Sequence, residues 1–507
     1  MAFPPDPKAG FLALSRFGYG PRGDGDCEAA ARDPHGFLAA ELAQPDLALL
    51  AGAGLPTTPK AAELFFVDQA QKKAERERLA EELARQKTAE AAPMAHQMMA
   101  APQDMAGQNM VAPNMAGQMD KAAQGNAAAA MKPAPQPPSP EQIIFRDEAL
   151  ARMRRAIEAR AGIVERLVAF WSNHFCISAS KSGLVRILAG AFEREAIRPH
   201  VLGRFADMVI AVESHPAMLQ FLDNAQSIGP ESEAGRKSKR GLNENLGREI
   251  LELHTMGVGT YQQNDVTSLA RILTGWTSVD AQGHEGTRGA FFFNAHTHEP
   301  GAETLLGKAY GEPGRGQGEA ALADLARKPA TAQFIATKFA RHFIADVPDP
   351  ALVADLAHVF MASDGDLKAL TFALLDSQAA FSAPATKMRT PYEFLIAVNR
   401  AIGHVPDDPG QILGPLNTMG MPLWSPPGPN GYADTFAAWA SPEGMKLRLD
   451  FAANVADRIK DPPNPSELLD SICGPAASPE TRQAVARAES KRQGLALLFM
   501  TPEFQRR

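Results

Sequence analysis

GLNENLGREILELHTMG, residues 241–257, decides how the rest of the chain is read. Set on a helical wheel at about 100° per residue, Leu242, Leu246, Ile250 and Leu253 form one apolar stripe. Asn245, Glu249 and Glu252 fall together on one flank of it, with Arg248 just beyond, and His254 falls on the opposite flank near Asn243. Carboxylates beside an apolar stripe are partly desolvated, so they need a cation, a metal or hydrogen-bond donors, or they protonate. Glu249 lies nearest the stripe and is the acid expected to be most perturbed. The plainer reading is an ion-pair network with Arg248 or with an arginine from another helix, since structural networks also perturb acids.

The same periodicity extends outward. Leu150, Met153, Ile157, Val164, Leu167 and Trp171 keep helical spacing, with Ala161 filling one turn. Val266, Leu269, Leu273 and Trp276 follow the N-cap residues Asn264 and Asp265, and Phe334, Ile335, Phe339 and Phe343 mark a further helix. Ser478-Pro479-Glu480 reads as a helix start, and His215-Pro216 as a helix boundary. Strand signals are weak: Phe291 to Phe293 is a short strand or a buried loop, and MPLWSPPGPNG, residues 421–431, is irregular because prolines and glycines crowd it. The expected fold is mainly α, a multi-helix globular fold with few short strands.

Residues 70–90 are charged and helical, with Glu81 and Arg85 at i,i+4 spacing. Residues 91–140, rich in Ala, Met, Gln and Pro, keep no period and read as a disordered low-complexity insertion. The expected organisation is one domain: residues 1–90 as its N-terminal helical part, the insertion at 91–140, and residues 141–507 as the main helical part. Met94, His96, Met98, Met99, Met105, Met110, Met115 and Met119 are soft donors of the kind that hold Cu(I); a plain spacer is the favoured reading.

With 51 basic and 58 acidic residues the net charge is -7, against broad nucleic-acid binding. A local basic run, Arg236, Lys237, Lys239 and Arg240, reads as a solvated loop. The three cysteines, Cys27, Cys176 and Cys473, are too few and too scattered for a disulfide framework, and Cys176 reads as a small buried apolar residue. The N-terminus carries no basic-then-apolar signal pattern and no stretch is long enough to span a bilayer, so the simple expectation is a cytoplasmic protein with no membrane span.

His-Glu-x-x-His and the Glu-x-x-His pair of di-iron helices are both missing, so a metal site must combine distant segments. The phosphate-binding glycine loops and the Gly-x-Ser-x-Gly nucleophile elbow are missing as well. FWSNHF supplies His174, NAHTHEPG supplies His296, His298 and Glu299, and KFARHF sets Lys338 and His342 on one helical face. For each histidine alone, a satisfied polar residue at a packed helix end is the plainer reading.

These segments together resemble a bacterial family called domain of unknown function eighteen hundred. The resemblance rests on LSRFGYGP, FWSNHF, NENLGREILELHTMGVG, LARILTGW, FNAHTHEPGAETLLG, KFARHF and the closing TPEFQRR, and covers nearly the whole chain outside 91–140. It implies a helical fold and assigns no catalytic residues. It also implies a neighbour: members often occur beside another family of unknown function, fifteen hundred and one, whose proteins look like exported alkaline-phosphatase or sulfatase relatives. Many members carry export signals, and co-export with a signal-bearing partner would reconcile a periplasmic location with this N-terminus.

Two functions follow as expectations. The first is an enzyme using a divalent metal or a carboxylate–histidine acid–base pair. In it Glu249 is ligand or base, Glu252 and Asn245 orient it, Arg248 and His254 belong to the same centre, and His174, Glu249 and His298 hold the metal. The second is a non-catalytic assembly or maturation partner of the phosphatase- or sulfatase-like protein. Convergence of His174, Glu249 and His298 around a cavity favours the first, and dispersal favours the second.

Overall fold

Helices, most of them short, dominate the computed structural model, which describes residues 5–22, 25–44, 46–52, 54–97, 137–237, 241–280 and 286–507. The chain divides into two units, residues 1–65 with 141–507, and residues 66–140. Helix α1 (Thr58–Gln97) runs from the first into the second. Within the second unit its described side chains are exposed or half-exposed, and pairs such as Lys72–Asp68 (2.7 Å) support a helix that is polar all round. The helix continues to Gln97, seven residues into the stretch expected to lack structure. The side chains of residues 87–97 and all of 98–136 lie outside the described residues, as do Lys239 and Arg240, and with them the copper-ligand reading.

In the first unit, α2 (Pro140–Glu158) and α3 (Ile163–His174) are separate helices. The apolar period runs through both, but Gly162 at φ +85° turns the chain between them. Glu41 accepts the backbone N–H groups of Ala161, Gly162 and Val164 at 2.8, 2.9 and 3.1 Å, satisfying donors that a helix start leaves open. Helix α4 (Phe205–Glu213) buries Phe205, Met208, Val209, Val212 and Glu213 on one face. His215 then caps the next helix, its Nδ1 accepting from the Ala217 N–H at 3.1 Å, as the His-Pro pair predicts.

Helix α5 (Asn245–Glu249) packs against α6 (Gln263–Ile272), where Gly247 permits the approach: a Cβ there would lie 3.1 Å from the Ala270 nitrogen. The start of α6 is a capping box of Gln262 and Asp265, two residues earlier than Asn264 suggested. Trp276 does not continue that helix. It opens strand β1 (Trp276–Ser278), paired antiparallel with β2 (Phe291–Phe293), and β3 (Glu303–Leu305) pairs with β4 (Lys308–Tyr310). Helices α7 (Pro329–Phe343) and α8 (Pro391–Ala401) complete the scaffold of the site. The fold is therefore mainly α with two small antiparallel strand pairs. No described helix is long and apolar enough to cross a membrane.

A second kind of cross-link holds these short helices together. Arg16, Arg166, Arg198, Arg389, Arg400, Arg448 and Arg507 are all fully buried. Arg400 donates to the carbonyls of Ile157 (2.8 Å) and Arg160 (3.0 Å) at the end of α2 and to Gly20 (2.9 Å). Arg16 reaches the Ala380 and Ala383 carbonyls at 2.6 Å. A guanidinium carries five donors in a fixed fork, so one side chain satisfies the open carbonyls of a distant helix end.

Candidate functional site

After α5 the chain does not continue as an α-helix. Residues Ile250–His254 form a π turn, in which the Met256 N–H reaches the Leu251 carbonyl, five residues back, at 3.1 Å. Single π turns recur at functional positions. The wider turn moves every later side chain off the α-helical wheel. Leu246, Ile250 and His254 share the buried face, Leu251 is buried, and Leu253 is half-exposed. His254 therefore does not lie on the flank opposite the acids near Asn243. It points into the core.

There the His254 Nδ1 lies 2.8 Å from Glu213 Oε1 at the end of α4. Both side chains are buried, at 1% and 0% exposure. An ionised carboxylate only accepts, so the shared proton belongs to Nδ1, and a neutral ring carries its lone pair on Nε2. The His174 ring lies 6.3 Å away between centroids, and its Nε2 donates to the His254 carbonyl at 3.0 Å. Burial holds His174 well below the usual histidine range, helped by the charge of Lys338. His254 Nε2, Glu213 Oε2 and His174 Nδ1 are all buried and have no hydrogen-bond partner among the described residues. Aromatic rings pack against both histidines: the Phe175 ring stands 5.3 Å from His254 and 4.4 Å from His174.

Two less buried ionisable groups border this pair. Glu249 is half-buried, and no hydrogen bond or ion pair is found for it among the described residues. Burial pushes its carboxyl up, while His254 pulls it down. The Lys338 amine lies 5.3 Å over the Phe334 ring, likewise without a hydrogen bond or ion pair among the described residues. Burial pushes it down to about 8.

The remaining expected residues disperse. Asn245 is exposed. Arg248 donates to Glu244 (3.2 Å) and Gln263 (3.1 Å), and Glu252 accepts from the Tyr261 hydroxyl at 2.8 Å. His298 donates its Nδ1–H to the Thr274 carbonyl at 2.8 Å, with its ring 5.1 Å from Phe293. His296 is exposed beside Glu233, and the buried Glu299 accepts from the Glu231 N–H. Among the described residues no three His, Cys, Asp or Glu side chains are grouped to hold a metal ion, so His174, Glu249 and His298 do not form the expected triad. The physical reason is that His174 and His298 each spend a ring nitrogen on a different backbone carbonyl, in different parts of the fold.

His342 is the satisfied histidine that the plainer reading predicts. Its Nδ1 donates to Asp434 at 2.7 Å and its Nε2 accepts from Arg166 at 3.0 Å, and burial pushes it down to about 3. Arg166 and Arg507 both hold Glu393, and Lys387 joins Asp434 to Asp346. Cys176 is buried, its thiol pushed up to about 12 by burial and donating to the Pro429 carbonyl, the setting of a structural thiol.

The Glu213 partner had a sequence signal. Phe205, Met208, Val209 and Val212 define the apolar face of α4, and Glu213 continues it at i, i+4 and i+8 spacing. A carboxylate on a buried face is the mark of a polar contact in the core.

The family described as "Protein of unknown function (DUF1800)" matches residues 12–506. No curated protein and no solved structure matches the chain.

Proposed function

The chain belongs to that family, and we propose that it is an acid–base enzyme centred on the Glu213–His254 pair. One observation carries the reading: three buried polar atoms of one side-chain cluster, His254 Nε2, Glu213 Oε2 and His174 Nδ1, are left without partners among the described residues. Each such atom costs about 1–3 kcal/mol. Native interiors leave few polar atoms unpaired, and a catalytic role is one of the accounts that such atoms call for.

In this reading Glu213 fixes the His254 tautomer, Nε2 takes a proton from substrate or from water, and the carboxylate stabilises the imidazolium that forms. Glu249 and Lys338, less buried and with no hydrogen bond or ion pair among the described residues, are the groups that meet substrate at the rim. Substrate reaches Nε2 when the turn beyond His254 opens. Gly257 and Gly259, at φ +81° and +87°, flank Val258, which is 76% exposed.

The test needs no substrate. In protein labelled with ¹⁵N-histidine, the neutral form of His254 should carry its proton on Nδ1 and leave Nε2 bare. A neutral ring with its proton on Nε2 and Nδ1 bare would end the reading. A metal-dependent version has no ligand triad among the described residues; elemental analysis of the purified protein would reopen it by finding a stoichiometric metal.

The dispersal of His174, Glu249 and His298 favours a second reading, a non-catalytic assembly or maturation partner. Its partner would be a signal-bearing phosphatase- or sulfatase-like protein, with co-export to the periplasm. Cell fractionation with and without that partner tests it: purely cytoplasmic protein in both cases removes it.

A further inference from the structure

On the other side of α3 lies a cavity of about 80 Å³, walled by α2, α3, the start of α8 and the irregular loop at residues 421–434. It is separate from the His254 centre: neither His254 nor Glu213 lines it.

Its wall holds one cation with uncommitted donors. Arg152, 6% exposed, has its Nε 3.1 Å from Glu193, and its guanidinium lies over the rings of Tyr392 (4.8 Å) and Trp424 (5.4 Å). Its terminal nitrogens donate to no acceptor among the described residues. The ionic chain behind it runs from Arg152 to Glu193, Arg198, Glu165 and Arg155. It begins and ends on arginine, which leaves one positive charge in surplus. The carboxylates that also line the cavity are already held, Glu393 by Arg166 and Arg507, and Asp434 by His342, Lys387 and Arg507.

Two neutral donors stand on the same wall. The Tyr392 hydroxyl has no partner among the described residues. The Thr390 hydroxyl accepts from the Glu393 N–H but donates to nothing described. The backbone supports the arrangement at a cost. Trp424 has φ +49°, a conformation a bulky side chain rarely adopts, and its indole N–H is spent on Glu193 at 3.2 Å. Strain of this kind persists where the surroundings hold a residue for a purpose, and here it keeps an aromatic face on Arg152.

We infer that this cavity binds the carboxylate of a small organic monoacid, with the Arg152 fork on its two oxygens and its short chain against Met421, Leu423 and Ile177. The single surplus charge fits a monoanion, and a planar carboxylate matches the guanidinium edge. The largely apolar remainder of the wall fits a hydrocarbon chain better than a phosphate dianion. The volume equals about three waters of liquid, which suits acetate or propionate.

Isothermal titration of the full chain with sodium acetate, sodium propionate and inorganic phosphate, at ionic strength held constant with NaCl, tests this. Acetate or propionate should bind saturably and more tightly than phosphate. Ala169→Leu, which fills the cavity and leaves each polar partner in place, should weaken that binding at least tenfold. Tyr392→Phe should weaken it severalfold. Arg152→Met should abolish it, with circular dichroism checking that the variant is folded. No saturable heat with either acid, tighter binding of phosphate, or carboxylate binding untouched by Ala169→Leu would overturn the assignment.

Discussion

Replacing Lys338 by methionine should make the protein more stable, and by an amount that depends on pH. The amine sits against Phe334 with no hydrogen bond or ion pair among the described residues, and burial lowers it from 10.5 to about 8. At about 1.4 kcal/mol per pH unit, keeping it charged in the folded state costs about 3 kcal/mol. The sign follows from proton binding. Below pH 8 both folded and unfolded chains hold the proton, and the full penalty stands. Between pH 8 and 10.5 the unfolded chain holds a proton that the folded one has released, so wild-type stability rises with pH. Above 10.5 neither state is charged there and the penalty is gone. Methionine keeps most of the length of the side chain but loses the attraction to the Phe334 ring, about 0.5–1 kcal/mol. Lys338→Met should therefore gain about 2 kcal/mol at pH 7, and the gap should close as pH rises through 8 to 10.5. Urea titrations of both proteins at pH 7, 9 and 10.5 measure it, other titrating groups cancelling in the difference. A variant less stable than wild type at pH 7, or a gap that ignores pH, would refute the picture of an unpaired buried amine.

Other outcomes follow from the same structure. Arg507→Met removes a cation shared by Glu393 and Asp434 and should cost about 3–5 kcal/mol in urea titration; a loss below 1 kcal/mol would mean Arg166 and Lys387 suffice. His342 should remain a neutral ring at pH 5 by ¹⁵N NMR, because burial holds it at about 3. With His174 also held low, the unfolded chain alone takes up those protons, so stability should fall from pH 6.5 toward 4; an imidazolium signal for His342 at pH 5 contradicts this. Gly318→Ala should lower the melting temperature, since a Cβ there would lie 2.4 Å from the Trp276 ring, whereas Gly414→Ala, mid-helix with open space around it, should raise stability by about 0.5–1 kcal/mol. Equal effects of the two glycine changes would show that backbone freedom, not packing, governs both.

What the sequence determined by itself is everything set by neighbours along the chain. Periodic apolar residues made the class mainly α. Ser478 ahead of Pro479 starts a helix, and His215 ahead of Pro216 caps one. The prolines and glycines of residues 421–431 forbid regular structure, and Cys176 is buried as its apolar setting implies. The site was legible only in part. His254, His174, Glu249 and Lys338 stand out as ionisable residues near apolar stripes, but their partners do not. The π turn at Ile250–His254 has no signature in composition, yet it turns His254 from the flank of the apolar stripe toward the core. Glu213 meets His254 across 41 residues, and Arg152 lies over Trp424 and Tyr392 from far along the chain. Buried arginines bound to backbone carbonyls are equally silent in sequence, because every residue offers a carbonyl and only packing selects which. Local periodicity is written into the chain, whereas the partner of a buried polar group is chosen by whichever distant segment the folded core brings within hydrogen-bonding reach.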